Sequence, residues 1–276
     1  MTLSSTLATS TYRPVVDVSA IRYGLLGPLR VFGGAGDTTI GARKIQILLC
    51  VLLIRSGQVV SIDQLTAELW GDNAPRRSTA ALQVYVSQLR KFLHRPEDAQ
   101  NPIVTRLPGY VLNTGTDQVD VHVFQNLVRQ GRQAARDQDH EAAVALFEEG
   151  LALWRGPALM GLRDSPAVSV FATWLDEFYL ECVEAMVESN LALGRHRDLI
   201  GTLQALTAEH PLREAFYRQL MLALYRSERQ ADALRVYQNA RAVLSDELGL
   251  EPCRGLRDLQ AAILSADDRL DFRPAA

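Results

Sequence analysis

Between residues 76 and 93 the chain reads RRSTAALQVYVSQLRKFL, with cations at both ends and small polar side chains between them. Leu82, Val86, Leu89 and Leu93 recur at the i, i+4, i+7, i+11 spacing of one helical face, while Arg76, Arg77, Val84, Ser87, Gln88 and Lys91 project the other way. These residue types suit a DNA groove. Arginine and lysine neutralise phosphates and fix register, glutamine offers a bidentate pair to adenine, and valine methyls match the thymine methyl. The helical phase turns Gln83, Val84, Ser87 and Gln88 toward base edges and assigns Arg76, Arg77, Arg90 and Lys91 to phosphates. A solvated amphipathic helix would show the same pattern in isolation, so the neighbouring elements decide.

Upstream, Ser61-Ile62-Asp63-Gln64 reads as a capping box: the Ser61 hydroxyl accepts from the Gln64 amide and the Gln64 side chain returns the bond. It opens a short helix ending at Trp70, with Gly71 free to turn left-handed beyond it. Further back, Ala42 to Arg55 is dense in Ile45, Leu48, Leu49, Leu52 and Leu53, a largely buried helix closed by Ser56-Gly57. Arg43 and Lys44 stand at its N-terminal end, where backbone amides favour anions, and are further phosphate candidates. Downstream, Ile103 to Arg106, the turn Leu107-Pro108-Gly109 and Tyr110 to Leu112 read as a hairpin. Ahead of all this, Tyr23 to Phe32 alternates apolar residues around Gly27-Pro28, again strands and a turn. The predicted class is therefore mainly α: a winged helix-turn-helix over residues 21–114, made of a small sheet, three helices and a wing hairpin.

Residues 119–265 read as an all-α, TPR-like repeat domain. Leu199, Leu203 and Leu206 are matched 34 residues later by Ala233, Tyr237 and Ala240, and 34 is the tetratricopeptide period. Ala143, Phe147 and Gly150 repeat the internal spacing 56 residues before the second copy, which leaves an insertion of 22 residues around Trp154-Arg155-Gly156-Pro157 and the loop after it. Helix pairs of this kind bury their apolar faces by stacking. Trp174, Phe178, Tyr217, Tyr225 and Tyr237 are read as filling that stack.

The net charge of −3 looks wrong for a DNA reader until it is divided: residues 1–113 hold 12 basic and 7 acidic side chains, and residues 114–276 hold 17 and 25. The half with the predicted winged helix is the positive one, as phosphate neutralisation asks. Cys50, Cys182 and Cys253 are odd in number, far apart and outside any metal-ligand spacing, which suits a reducing compartment. Residues 1–20 and 266–276 read as disordered tails; the first lacks the basic start and apolar core of an export signal. The longest apolar run, Ile45 to Ile54, is too short to cross a bilayer. A cytoplasmic protein, nucleoid-associated when bound to DNA and without a membrane partner, is expected.

Several of these segments together resemble a known family. GLLGPLRV, VSIDQLTAELWGDNAP, LQVYVSQLRKFL and TRLPGYVL are similar to the OmpR-like DNA-binding domain of the Streptomyces antibiotic regulatory proteins. LALWRGPAL, LALGRHRDLI, HPLREAFYRQLMLALYRSERQADALRVY and LSDELGLEP resemble that family's bacterial transcriptional activation domain, so the likeness covers roughly residues 22 to 265. It implies an activator of a secondary-metabolite gene cluster that binds direct repeats upstream of promoters and recruits RNA polymerase through polymerase and sigma-factor surfaces. Direct repeats imply head-to-tail protomers about one helical turn, ~10–11 base pairs, apart or a multiple of it. The likeness also places Arg106 on the wing in or beside the minor groove. Some members carry a nucleotide-binding domain after this region; no G-x-x-x-x-G-K-[ST] loop occurs here, so a short form or a fragment of a longer regulator is expected, with no cofactor.

An enzyme is a poor fit. The histidines at 94, 122, 140, 196 and 210 form no H-E-x-x-H, and neither G-x-S-x-G nor a Cys/His group at ligand spacing is present. The remaining alternative is a non-catalytic protein-interaction scaffold using the winged-helix and TPR-like surfaces. Salt separates the two, because DNA affinity falls steeply with ionic strength.

Overall fold

The computed structural model describes residues 21–33, 36–38, 40–94, 101–115 and 117–272; the N-terminal tail expected at 1–20 lies outside them, as do 273–276. It divides into two compact units, the described part of Met1–Asn126 together with Glu149–Tyr179, and Leu127–Glu148 together with Leu180–Ala276.

The first unit opens with β1 (Ile21–Gly24), β2 (Arg30–Gly33) and β3 (Gly36–Thr38), an antiparallel meander. Three helices follow: α1 (Arg43–Ile54), α2 (Ile62–Trp70) and α3 (Ser78–Leu93). α1 is buried along nearly its whole length, from Ile45 to Leu53, as its apolar run requires. Both bonds of the capping box at the start of α2 are present, Gln64 N to Ser61 Oγ and Ser61 N to Gln64 Oε1, each 3.1 Å. Beyond α2, Gly71 takes φ 55° and ψ −135°, and a 3-10 turn over Gly71–Asn73 leads toward α3. The hairpin is β5 (Ile103–Arg106) with β6 (Gly109–Leu112), in the register Arg106↔Gly109.

Three strands escape the sequence reading: β3 and two shorter ones. β4 (Val60–Ser61) pairs with β6 and turns the hairpin into a three-stranded sheet, β4-β6-β5. β7 (Gln118–Val119) pairs in parallel with β1 and completes a second sheet in the order β3-β2-β1-β7. β4 and β7 are each two residues long, so no alternation exists for periodicity to detect.

Next come α4 (Asp120–Arg136), α5 (His140–Leu151) and the 27-residue α6 (Pro166–Ala192), each of which contributes to both units. α7 (His196–Glu209), α8 (Glu214–Tyr225), α9 (Gln230–Leu248) and α10 (Arg254–Leu264) belong to the second unit. The repeat positions fall on α5, α7 and α9: Ala143, Phe147, Gly150, Leu203, Leu206, Ala233, Tyr237 and Ala240 are buried, and Leu199 is half-buried. α8 packs against both α7 and α9 and buries Phe216, Tyr217, Leu220, Met221 and Leu224. α6 is 27 residues long against 12 for α8, so the extra length of the first repeat sits in the helix as well as in the loop before it. α9 stops at Gly249, which is left-handed (φ 66°, ψ 24°) and returns its N–H to Ser245 O.

Two expectations need correction here. Residues 266–272 are not an unstructured tail: Asp268–Leu270 forms a 3-10 turn, Arg226 Nε donates to Leu270 O at 2.8 Å, and the Arg226 guanidinium lies 6.0 Å from the Phe272 ring. Half-buried Arg226 and the packing of Phe272 beside His196 tie this segment down, and the polar sequence advertises neither. Trp174, read as core, is 40% exposed, while Tyr217 and Tyr237 are buried as expected.

Candidate nucleic-acid interface

α3 packs on α1 and α2 through Leu82, Val86, Leu89 and Leu93, each no more than 1% exposed. Stacking of Trp70 on Tyr85, with ring centroids 6.0 Å apart, adds a second fixed point. With one face committed to the core, the other faces solvent: Gln83, Val84, Ser87, Gln88 and Lys91 are all exposed, Val84 at 53%. The helix begins at Ser78, so Arg77 is its N-cap and Arg76 lies one residue before it. Both arginines are exposed at the N-terminal end of the helix, where the positive end of the helix dipole favours an anion. Among the described residues, no ion pair or hydrogen bond engages the side chains of Arg76, Arg77, Lys91 or Arg106.

The hairpin is rigidly referenced to α3. Arg90 Nε donates to Ile103 O at 3.0 Å and Arg90 Nη2 to Thr105 Oγ1 at 2.8 Å, while Asn101 Nδ2 donates back to Arg90 O at 2.9 Å. The Arg90 guanidinium also lies 5.8 Å from the Tyr110 ring. At the far end, β6 runs so close to β4 that a Cβ on Gly109 would sit 1.8 Å from Val60 O. Arg106 therefore projects, exposed, from a hairpin whose base cannot slide relative to the helix.

Three cations assigned to phosphates on sequence have partners within the fold. Arg90 is half-buried and braces the hairpin. Arg43 pairs with Asp164. Lys44 donates to Leu69 O and lies 5.3 Å from the Trp70 ring. Helical spacing sets the phase of these cations but carries no sign of partners 13, 25 or 121 positions away.

Residues 38–112 match the family model "Transcriptional regulatory protein, C terminal", and residues 119–264 match "Bacterial transcriptional activator domain". The regulatory protein DnrI of Streptomyces peucetius is 35% identical over 253 residues, 90% of this chain and 93% of DnrI. The regulatory protein AfsR of Streptomyces griseus is 36% identical over 256 residues; the alignment takes in 93% of this chain but only 26% of AfsR. A solved structure of Mycobacterium tuberculosis EmbR in complex with a low-affinity phosphopeptide superposes with TM-score 0.84 at 35% identity, covering 90% of this chain and 65% of that one. The chain belongs to the Streptomyces antibiotic regulatory protein family of transcriptional activators. That family consists of regulators and not enzymes.

In this Streptomyces antibiotic regulatory protein, one cluster important to the fold escapes the sequence reading. Asp120, its side chain 4% exposed, accepts from the amides of Leu25 (2.8 Å) and Leu26 (3.0 Å) and from Arg155 Nη2 (3.2 Å). Arg155 Nη1 donates to Pro28 O, and the backbone N–H groups of Arg155 and Leu159 donate to Leu26 O and Gly27 O. A Cβ on Gly24 would lie 2.5 Å from Arg155 Nη2, and one on Gly27 3.0 Å from Arg155 Cβ. The segments GLLGPLRV and LALWRGPAL, which carry the resemblance separately, are thus the two halves of one joint. Burial pushes the Asp120 carboxyl up, against the two amides and Arg155, which favour the ionised form. In the same unit, Glu68 accepts from Ser165 Oγ and from the Ala167 N–H at the start of α6.

No group of three or more His, Cys, Asp or Glu able to hold a metal occurs among the described residues. Cys50 and Cys182 are buried; burial raises both thiols, that of Cys182 to about 12, which leaves them unreactive. No helix among the described residues is long and apolar enough to cross a membrane.

Proposed function

We propose that this activator works by laying the outer face of α3 in the major groove of promoter DNA, with the wing in the adjacent minor groove. Gln83, Val84, Ser87 and Gln88 read base edges, and Arg76, Arg77 and Lys91 hold phosphates. Arg106 enters or flanks the minor groove, where narrow A·T-rich segments concentrate negative potential. Arg90 serves this interface by bracing the wing; Arg43 and Lys44 border it and would reach phosphate only by leaving their present partners. The observation that carries the reading is the coincidence of four cations, unpaired among the described residues, with an exposed polar stripe on a helix whose opposite face is sealed in the core.

On this reading residues 21–114 bind DNA and residues 119–265 serve activation. Protomers sit head to tail on direct repeats upstream of a secondary-metabolite cluster, in the cytoplasm and on the nucleoid. The helical repeats join those protomers or meet RNA polymerase and its sigma factor, which raises promoter occupancy by tethering. DnrI and AfsR, regulatory proteins of Streptomyces, support the regulatory role. Footprinting on the upstream region of neighbouring biosynthetic genes, with transcription measured in the same reaction, tests binding, spacing and activation together. Repeated protections with increased transcript are expected; affinity unchanged by both Gln88→Ala and Arg106→Ala would refute the assigned face.

A further inference from the structure

The wing tip carries a side chain that the electrostatic account leaves unused. Leu107 is 92% exposed, more than any other large apolar residue in the described chain. It is not on a floppy loop. Leu107 and Pro108 are the two residues between the paired Arg106 and Gly109, Pro108 O accepts from the Ile62 N–H at 3.2 Å, and proline fixes its own φ. Behind them stand the Arg90 brace and the Gly109–Val60 contact. A leucine held this far into water on a stiff support, next to an unpaired arginine, is built to meet an apolar surface that lies beside phosphates. The minor groove offers one in its deoxyribose faces and base edges, and apolar wedges of Leu, Ile, Phe, Met or Pro are a recurrent means of prising open a base step there.

We propose that Leu107 is such a wedge: with Arg106 on the backbone, it presses into the minor groove beneath the wing and favours sites with an easily unstacked pyrimidine–purine step at that position. The inference rests on the DNA-binding reading above. It adds a source of sequence preference that involves no hydrogen bond to a base.

The test uses the full chain and duplexes it selects from a random-sequence pool. Wild type should enrich a pyrimidine–purine step on the wing side of the bases read by α3, and bend the selected duplex in a circular-permutation gel. Leu107→Ala should bind that duplex roughly tenfold more weakly, since a buried leucine's apolar area is lost, with the slope of affinity against salt unchanged. Arg106→Ala should lower that slope by about one, as expected for one lost phosphate contact. Selection with Leu107→Ala should lose the enriched step alone and keep the positions set by α3, and Leu107→Met should restore most of the bend. Equal affinity, bend and selected sequence for Leu107→Ala and wild type would overturn the wedge. So would intact DNA binding with loss of transcription only, which would make the tip a protein contact. Failure of wild type to select any sequence would instead sink the DNA reading itself.

Discussion

Val84, Ser87 and Gln88 lie outside for a reason that belongs to single residues and their spacing. Their helical phase relative to Leu82, Val86, Leu89 and Leu93 is enough to place them there, because a helix that buries one stripe has no freedom about the other. Gln88→Ala is expected to weaken binding to a selected duplex by about tenfold, within the ~1–3 kcal/mol of a bidentate base contact, and to leave the unfolding midpoint unchanged; gel shift and denaturation measure the two separately. Arg90 and Asp120 mark the limit of reasoning from spacing. Each is a charged side chain whose role is set by backbone groups distant in sequence, and no local pattern announces the pairing. Arg155→Ala should cost about 3–5 kcal/mol, the usual result of leaving a buried carboxylate without its partner, read as a fall in denaturant midpoint of the full chain. An effect below about 1 kcal/mol would mean that the amides of Leu25 and Leu26 suffice to hold Asp120.

Among elements, the wing and the C-terminal turn make the contrast. The hairpin is legible in the sequence because Leu107-Pro108-Gly109 is turn chemistry between two β-rich runs. Its third strand, β4, is not, since two residues gain their strand character wholly from pairing with β6. Gly109→Ala forces that pair apart, so we expect at least about 2 kcal/mol of destabilisation together with loss of specific DNA binding. Circular dichroism and gel shift on the same sample check both. At the other end, the His196 ring lies 6.1 Å from the Phe272 ring, and burial, then Arg226 and Arg197, lower its pKa below the ordinary 6.5, with Asp198 pulling the other way. The unfolded chain therefore takes up the proton first as the pH falls. The stability in question is present above pH 6.5 and drains away as the pH drops through the folded value. Denaturant midpoints at about pH 7.5 and about pH 5.5, above and below the unfolded value of a histidine, should differ less in His196→Gln than in wild type; equal differences would remove His196 from the account.

At the scale of the whole molecule, charge is organised by function and not by average. The excess of bases in residues 1–113 is hidden in a net charge of −3, and Arg76, Arg77, Lys91 and Arg106 are the exposed cations on and beside α3 and the wing that the fold leaves without a partner among the described residues. Four contacts per protomer predict a slope of about −3.6 in log affinity against log salt, measurable by anisotropy from about 50 to 200 mM. A slope near zero would favour a protein-binding surface. The tandem of helix pairs is readable from the 34-residue period, whereas the assignment of Glu149–Tyr179 to the same compact unit as the winged helix is not. The Asp120–Arg155 joint and the Glu68 contacts to Ser165 and Ala167, all non-local, fall within that unit.

The most direct test of the docking geometry attaches a chelated iron to position 87 or 107, using Ser87→Cys or Leu107→Cys in a Cys253→Ser background; Cys50 and Cys182 are buried and stay unlabelled. On a selected duplex, cleavage from position 87 should be confined to one major-groove segment, and cleavage from position 107 to the minor groove beside it. Specific binding with no localised cleavage from either position would contradict the account.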